Sequence, residues 1–205
     1  AEDEIELSLR QTETPGPYST LMTPYAREPL DCVADDRISD VVLCWGTQTG
    51  KTMTMMAGAA WRLTHRPAPA LWVMPSEDLA ASFSETRWMP MVSDCSQLAT
   101  KKHPRRFTKL SQDFGDCTLH FVGSNSPANL ASRPVAFLLM DEIDKFAQQR
   151  GNEASALHLA ENRTKSFTMP LRVKTSTPTV GRSDLVRIHH DRSALLLRPM
   201  SALQR

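Results

Sequence analysis

Five short apolar runs, "DVVLCW", "ALWVM", "CTLHFVG", "VAFLLMD" and "LRVKTST", punctuate this chain, and longer segments with helical periodicity separate them. Runs of this length rich in Val, Leu and Phe suit strands buried on both faces, and strands that alternate with helices must run parallel. The expected fold is an α/β domain whose mainly parallel sheet is sandwiched by helices. In such a sheet, ligands sit at the carboxyl ends of the strands, so the residues that leave each run are the first to inspect.

The first run leads into "WGTQTGKT", residues 45–52. Gly, four residues, then Gly-Lys-Ser/Thr is the pattern of a loop that wraps phosphates with backbone N–H groups, a lysine and a hydroxyl. Gly50, Lys51 and Thr52 meet it, but Trp45 stands where the first glycine belongs and Gly46 comes one place late. The context is nonetheless the one such a loop needs, an apolar strand before and a helix after. Met53, Met56, Ala57, Ala60 and Trp61 have helical spacing, and the pattern stops at "HRP". A second helix is expected from Ser76, where Ser-Glu-Asp offers a cap and first-turn acids, and it should end before Pro90.

The fourth run delivers Asp141 and Glu142 to the same sheet edge. Asp141 is placed to hold a magnesium ion and Glu142 to orient and deprotonate an attacking water. A solvated acidic turn would be the bland reading of this pair alone. The fifth run ends in "VKTSTPT", so Ser176, Thr177 or Thr179 could sense a γ-phosphate, although a plain Ser/Thr turn fits equally well. Among ATPases that insert a strand between the two acid- and lysine-bearing ones, the strand ending at Ser176 would lie between those ending at Cys44 and Met140.

The remaining composition is less specific. At 205 residues the chain suits one domain, with 40% hydrophobic and 23% charged residues. A net charge of +1 argues against any general attraction to nucleic acid or membrane. The most basic stretch, "KKHPRRFTK" at 101–109, could touch a DNA backbone, but a solvated loop is the simpler reading. Cys32, Cys44, Cys95 and Cys117 have neither zinc spacing nor a disulfide framework, and are expected to be reduced and mostly buried. No apolar run has the length of a membrane span, and the acidic start resembles no targeting signal, so a soluble intracellular protein is expected. Residues 1–22 read as a flexible arm, 23–180 as the phosphate-loop domain, and 181–205 as an atypical tail. That tail holds five arginines and no lysine, by ordinary sampling or because the chain is cut or shifted in frame.

Several stretches in order, "TPYAREPLD", "GTQTGKT", "WVMPSEDLAASFSETRWMPMV", "GSNSPANLASRPVAFLLMDEID" and "KTSTPT", resemble the ATPase part of the large terminase subunits of lambda-type tailed phages, the GpA family, over roughly residues 20–180. Members of that family commonly carry a phosphate loop whose small residue stands where Gly46 does, which would make Trp45 the end of its strand. The resemblance implies a P-loop NTPase of RecA-like type that hydrolyses ATP with Mg2+ to drive double-stranded viral DNA into a procapsid. It implies a nucleotide site of Gly46, Thr47, Gln48, Thr49, Gly50, Lys51 and Thr52 with Asp141, a metal held by Thr52 and Asp141, and Glu142 as catalytic base. It also implies coupling of hydrolysis to movement through Ser176 and Thr177, and a transition-state arginine, for which Arg133 and Arg163 are candidates. The implied partners are the terminase small subunit, the portal and other copies in a ring, without a membrane, in the host cytoplasm. Nothing after "KTSTPT" resembles the family's nuclease part, so cleavage is not expected of this chain. Two other readings are a helicase-like translocase, which would need a second RecA-like half, and a remnant that binds nucleotide without turnover.

Overall fold

The computed structural model of the protein describes residues 5–8, 12, 15–147 and 155–177, with the backbone of 195–197. In chain order the elements begin with β1 (Glu6–Leu7), β2 (Gly16–Pro17), α1 (Arg27–Ala34), β3 (Asp40–Cys44), α2 (Lys51–His65) and β4 (Ala70–Met74). They continue with α3 (Glu77–Phe83), α4 (Met89–Asp94), α5 (Ser96–Lys101), β5 (Ser111–Asp113), β6 (Thr118–Gly123) and α6 (Pro127–Ala131). The last are β7 (Phe137–Met140), α7 (Ala156–Asn162), β8 (Leu171–Ser176) and β9 (Leu195–Leu197). All five apolar runs are strands. They lie in one seven-stranded sheet of order β5-β6-β4-β7-β8-β3-β9, parallel except for the edge strand β5.

Period-2 alternation divides the sheet's side chains between two apolar layers. Val41, Leu43, Trp72, Phe121, Leu139 and Val173 face the layer that also holds α2 residues Met55, Met56, Ala59 and Leu63. Val42, Leu71, Val73, Leu138 and Met140 face the other, with Leu157 and Ala160 of α7. Helices on both faces are the only way to cover strands as fully buried as β4 and β7. The expected sandwich is therefore present, and β8 does lie between β3 and β7.

Three features depart from expectation. The expected arm is not free where it is described: Ile5 and Tyr18 are buried in the first layer, and Tyr18 N–H donates to Ile5 O at 2.8 Å. A two-residue strand pair gives too short a pattern for periodicity to detect. Ser76 does cap α3, accepting from Leu79 N–H at 3.3 Å, but the helical path does not stop for Pro90. A π-helical turn at Ser84–Trp88 follows α3, and Pro90 falls in the first turn of α4, where a missing N–H costs little. The turn is pinned from inside: Trp88 Nε1 donates to Gln112 Oε1 at 2.7 Å, and Gln112 Nε2 donates to Ser84 Oγ at 2.9 Å. Finally, β9 brings the sheet into the arginine-rich segment beyond 180, whose other residues, like Thr179, lie outside the described ones. None of the four cysteines forms a disulfide, and three of them are buried.

The α7 layer contains a charge cluster. Lys174, fully buried on β8, reaches Asp40 Oδ1 at 2.8 Å and Glu161 Oε1 at 2.6 Å, while Arg172 reaches Asp40 Oδ2 at 2.5 Å. Removing the ammonium takes from Glu161, itself buried, its 2.6 Å cationic partner, while His158 lies at 3.8 Å. Breaking a buried pair from one side costs about 3–5 kcal/mol. Lys174→Met is therefore expected to lower the unfolding free energy by about 3 kcal/mol or more, read as a drop in urea midpoint at constant m value. An unchanged midpoint would mean that the cluster is not anchoring α7.

Candidate active site

The carboxyl ends of β3, β7 and β8 meet at one edge of the sheet, and three of the sequence motifs meet there with them. After β3 the chain turns at Trp45, which is 1% exposed and packs edge-on against Tyr25 with ring centroids 5.1 Å apart. Trp45 thus belongs to the core at the strand's end. Gly46, Thr47, Gln48 and Gly50 form the exposed loop. Gly46 can serve as the loop's small residue because a Cβ there would meet only Thr49 Cγ2, at 3.6 Å. Gln48 and Gly50 take left-handed conformations, φ 55° and 80°, and so bend the chain into the N-terminus of α2. Tyr25 Oη donates to Thr49 O at 3.1 Å, a tie from the segment before α1 that no sequence pattern announces.

Lys51 opens α2 and is 6% exposed. Its Nζ donates to Gly46 O and to Thr177 Oγ1, both at 2.8 Å, so the ammonium lies under the loop with its partners at the rim. One residue on, Thr52 Oγ1 donates to Asp141 Oδ2 at 3.3 Å, across 89 positions of sequence. Asp141 follows β7, its N–H held by Val73 O at 3.0 Å, and is 2% exposed. Burial pushes its carboxyl above the usual range, opposed by the hydrogen bond from Thr175 and reinforced by the charge of Glu142. Thr175 Oγ1 donates to Asp141 Oδ1 at 2.5 Å.

Glu142 adopts φ 56° and ψ 48°, the left-handed region that costs a side-chain-bearing residue about 1–2 kcal/mol. The short turn after it, Ile143–Lys145, is held by Ser176 Oγ accepting from Asp144 N–H at 3.2 Å. Ser124 Oγ accepts from Ala147 N–H at 2.9 Å. The strain aims Glu142 away from the strand direction. Its Oε2 lies 3.2 Å from Lys145 Nζ, close enough for an ion pair but without a hydrogen bond to any group. The oxygen is thus shielded and ion-paired, with its hydrogen-bonding capacity unfilled.

The two arginine candidates are elsewhere. Arg133 is exposed and precedes β7, near the starts of β4 and β8, where Ala136 N–H binds Pro69 O and Ala136 O accepts from Leu171 N–H. That is the entry end of the strand, so the structure does not bring Arg133 to the phosphate loop. Arg163 is tied to the same end, donating to Ala131 O at 2.8 Å. Both lie where they do because each precedes a strand that must run its full length before reaching the site. The basic run 101–109 spends much of its charge internally: Lys101 on Thr64 O and Asp116, Lys102 on Ser93 and the Phe107 ring, Arg106 on Asp113. Among the described residues no helix is long and apolar enough to cross a membrane. Thr175 and Tyr25 are the site residues that motif reading does not single out; the only signal for Thr175 is its place two before Thr177, on the same side of the strand.

Comparison with known proteins bears on this geometry. By structure, the chain is similar to the large terminase of bacteriophage HK97, with a TM-score of 0.66 and 16% identity over 86% of this chain and 37% of that one. It is also similar to the large terminase of the thermophilic bacteriophage D6E in complex with ADP, with a TM-score of 0.60 and 12% identity over 86% of this chain and 44% of that one. By sequence it is 22% identical over 171 residues to the large terminase subunit of Escherichia phage lambda, covering 80% of this chain. It spans about a quarter (26%) of the length of that relative. The family model for the ATPase domain of the phage terminase large subunit gpA matches residues 12–194, nearly the whole chain, and the protein belongs to that family.

Proposed function

We propose that this chain binds and hydrolyses ATP and serves as the motor domain that drives viral double-stranded DNA into a procapsid. One observation carries the chemistry: Thr52 and Asp141, from motifs 89 residues apart, lie within hydrogen-bond reach beside the buried Lys51. A chance Gly-Lys-Thr and a chance Asp-Glu would have no reason to converge. Family membership and the ADP complex of the D6E relative support a nucleotide as the ligand.

The residues present fit a magnesium ion. Asp141 is a buried carboxylate whose charge is disfavoured by burial, and it faces the Thr52 hydroxyl. A hard dication prefers this oxygen pair with waters and phosphate oxygens completing its shell. Thr52 and Asp141 would hold the ion, which would supply positive charge against the phosphates. Lys51 would exchange Gly46 O and Thr177 Oγ1 for phosphate oxygens, and the loop N–H groups from Thr47 to Thr52 would bind the same group. Glu142, with a carboxylate oxygen that makes no hydrogen bond and a fixed left-handed backbone, orients and deprotonates the attacking water once it exchanges its ion pair with Lys145. Release of Thr177 by Lys51 gives the phosphate state a direct effect on the end of β8, through which Ser176 and Thr177 pass it on. Portal, small subunit and neighbouring copies in a ring are the assembly this role requires, in the host cytoplasm.

Steady-state ATP turnover with magnesium is expected from the parent chain and lost in Glu142→Gln, while Lys51→Ala loses nucleotide binding as well. A parent no faster than Glu142→Gln would overturn the hydrolytic assignment. Tyr25→Phe removes one hydrogen bond from the loop and is expected to raise KM by about fivefold, the worth of roughly 1 kcal/mol, with kcat little changed. A fall in kcat alone would contradict that role.

Asp141→Asn tests the electrostatics without nucleotide. Because the folded carboxyl titrates above its unfolded value, near 3.8, its protonated form favours folding below that pH, and the advantage is lost as pH rises. At pH 7 the buried charge opposes folding, and an asparagine can still accept from Thr175. The metal-free variant is therefore expected to melt higher than the parent at pH 7, with the gap closing toward pH 4. A lower Tm for the variant at pH 7 would contradict a destabilising charge at this position.

A further inference from the structure

We propose that Thr175 is a positioning residue for the metal-side carboxylate: by binding one oxygen of Asp141, its hydroxyl fixes the carboxylate plane so that the other oxygen faces Thr52 and the ion. This inference rests on the nucleotide site proposed above and adds to it a residue outside the phosphate loop and the acidic pair.

A carboxylate rotates almost freely about its last torsion, where the energy wells are broad and twofold. Nothing in the Asp141 side chain itself sets the plane in which its two equivalent oxygens lie. Its backbone is fixed by the Val73 carbonyl on one side of β7. Its carboxylate is fixed from the other side, where Thr175 Oγ1 donates to Oδ1 at 2.5 Å. Thr175 is fully buried, so no water competes for the bond. The Glu142 backbone N–H also binds this carboxylate, and of the two side-chain contacts, Thr52 Oγ1 to Oδ2 at 3.3 Å is the longer and weaker. Thr52 can therefore turn away toward an ion at little cost while Thr175 keeps its hold. The parallel register explains the placement: Met140 pairs with Lys174, so the next residue of each strand is level across the β7–β8 seam. Partners one shell out from a metal typically change its affinity 10–100-fold.

The experiment measures manganese binding by the 205-residue chain in the presence of ADP, following the free-ion paramagnetic signal, beside ADP affinity without metal. Thr175→Val keeps the shape and removes the hydroxyl; it is expected to weaken manganese binding about 10-fold while metal-free ADP affinity stays within about twofold. Thr175→Ser restores the hydroxyl and is expected to return manganese affinity to within about twofold of the parent. Thr175→Ala replaces the valine variant should that one fail to fold. Unchanged manganese affinity in a folded hydroxyl-less variant would overturn the proposal, as would a weakening that serine does not rescue or an equal loss of metal-free ADP affinity. A parent that binds ADP no more tightly with manganese than without would instead overturn the nucleotide–metal reading of the site, and this inference with it.

Discussion

The position of one strand organises everything else. Because β8 is inserted between β3 and β7, it touches both halves of the site at once, and its period-2 alternation gives each neighbour its own set of side chains. Thr175 and Thr177 reach Asp141 and Lys51 on the phosphate-loop side. Lys174 and Ser176 reach Asp40 with Glu161, and the turn after Glu142, on the other. A shift of β8 along its axis would have to break contacts on both faces together. That mutual constraint turns two separate polar motifs into a single structure.

The polar groups at this edge are costly, and the sheet absorbs the cost in different ways. Lys174 is fully buried and paid for by two carboxylates, so the cluster is charge-compensated. Asp141 is also buried but is met by two hydroxyls and the Glu142 backbone N–H, with no cation, which leaves its charge disfavoured. Glu142 carries backbone strain and a carboxylate oxygen without a hydrogen bond. Compensation is complete where the sheet is held together and incomplete where a cationic ligand would supply what is missing. Within a few residues the sheet thus holds a fully paired charge and a carboxylate whose charge burial disfavours, the contrast on which the proposed binding edge rests.

Much of this was legible in the sequence, and the reason is that buried parallel strands are written as apolar runs. The five runs became five strands, and their exits hold Lys51, Thr52, Asp141, Glu142, Ser176 and Thr177 at one edge. What escaped had no periodic signature. Ser111–Asp113 forms β5 from "SQD", polar residues on an edge strand that is covered on one side only. Pro90 ends a helix on paper, but a π turn ahead of it, held by Trp88, Gln112 and Ser84, carries the helical path past it. Arg133 looked close to Asp141 because eight positions separate them, yet those positions are an extended strand that spans roughly 3.3 Å per residue. Thr175 escaped because a buried threonine in a strand is unremarkable until its neighbour is known to be an acid.

Trp45 shows how a motif can lose a residue and keep its geometry. The first glycine of a phosphate loop serves where the backbone must leave its strand without a side chain in the ligand's way. Here Trp45 directly follows β3 and turns its ring inward against Tyr25, where it is 1% exposed. Gly46 then begins the loop, its Cβ position in ordinary contact with Thr49 Cγ2 at 3.6 Å, and left-handed turns at Gln48 and Gly50 complete the bend. The substitution adds an anchor: Tyr25 packs on the tryptophan and also holds Thr49 O, so the aromatic pair fixes both the root and the crest of the loop. What the loop loses in backbone freedom at its first position it regains as rigidity, and a rigid arrangement of N–H groups is what binding a phosphate requires.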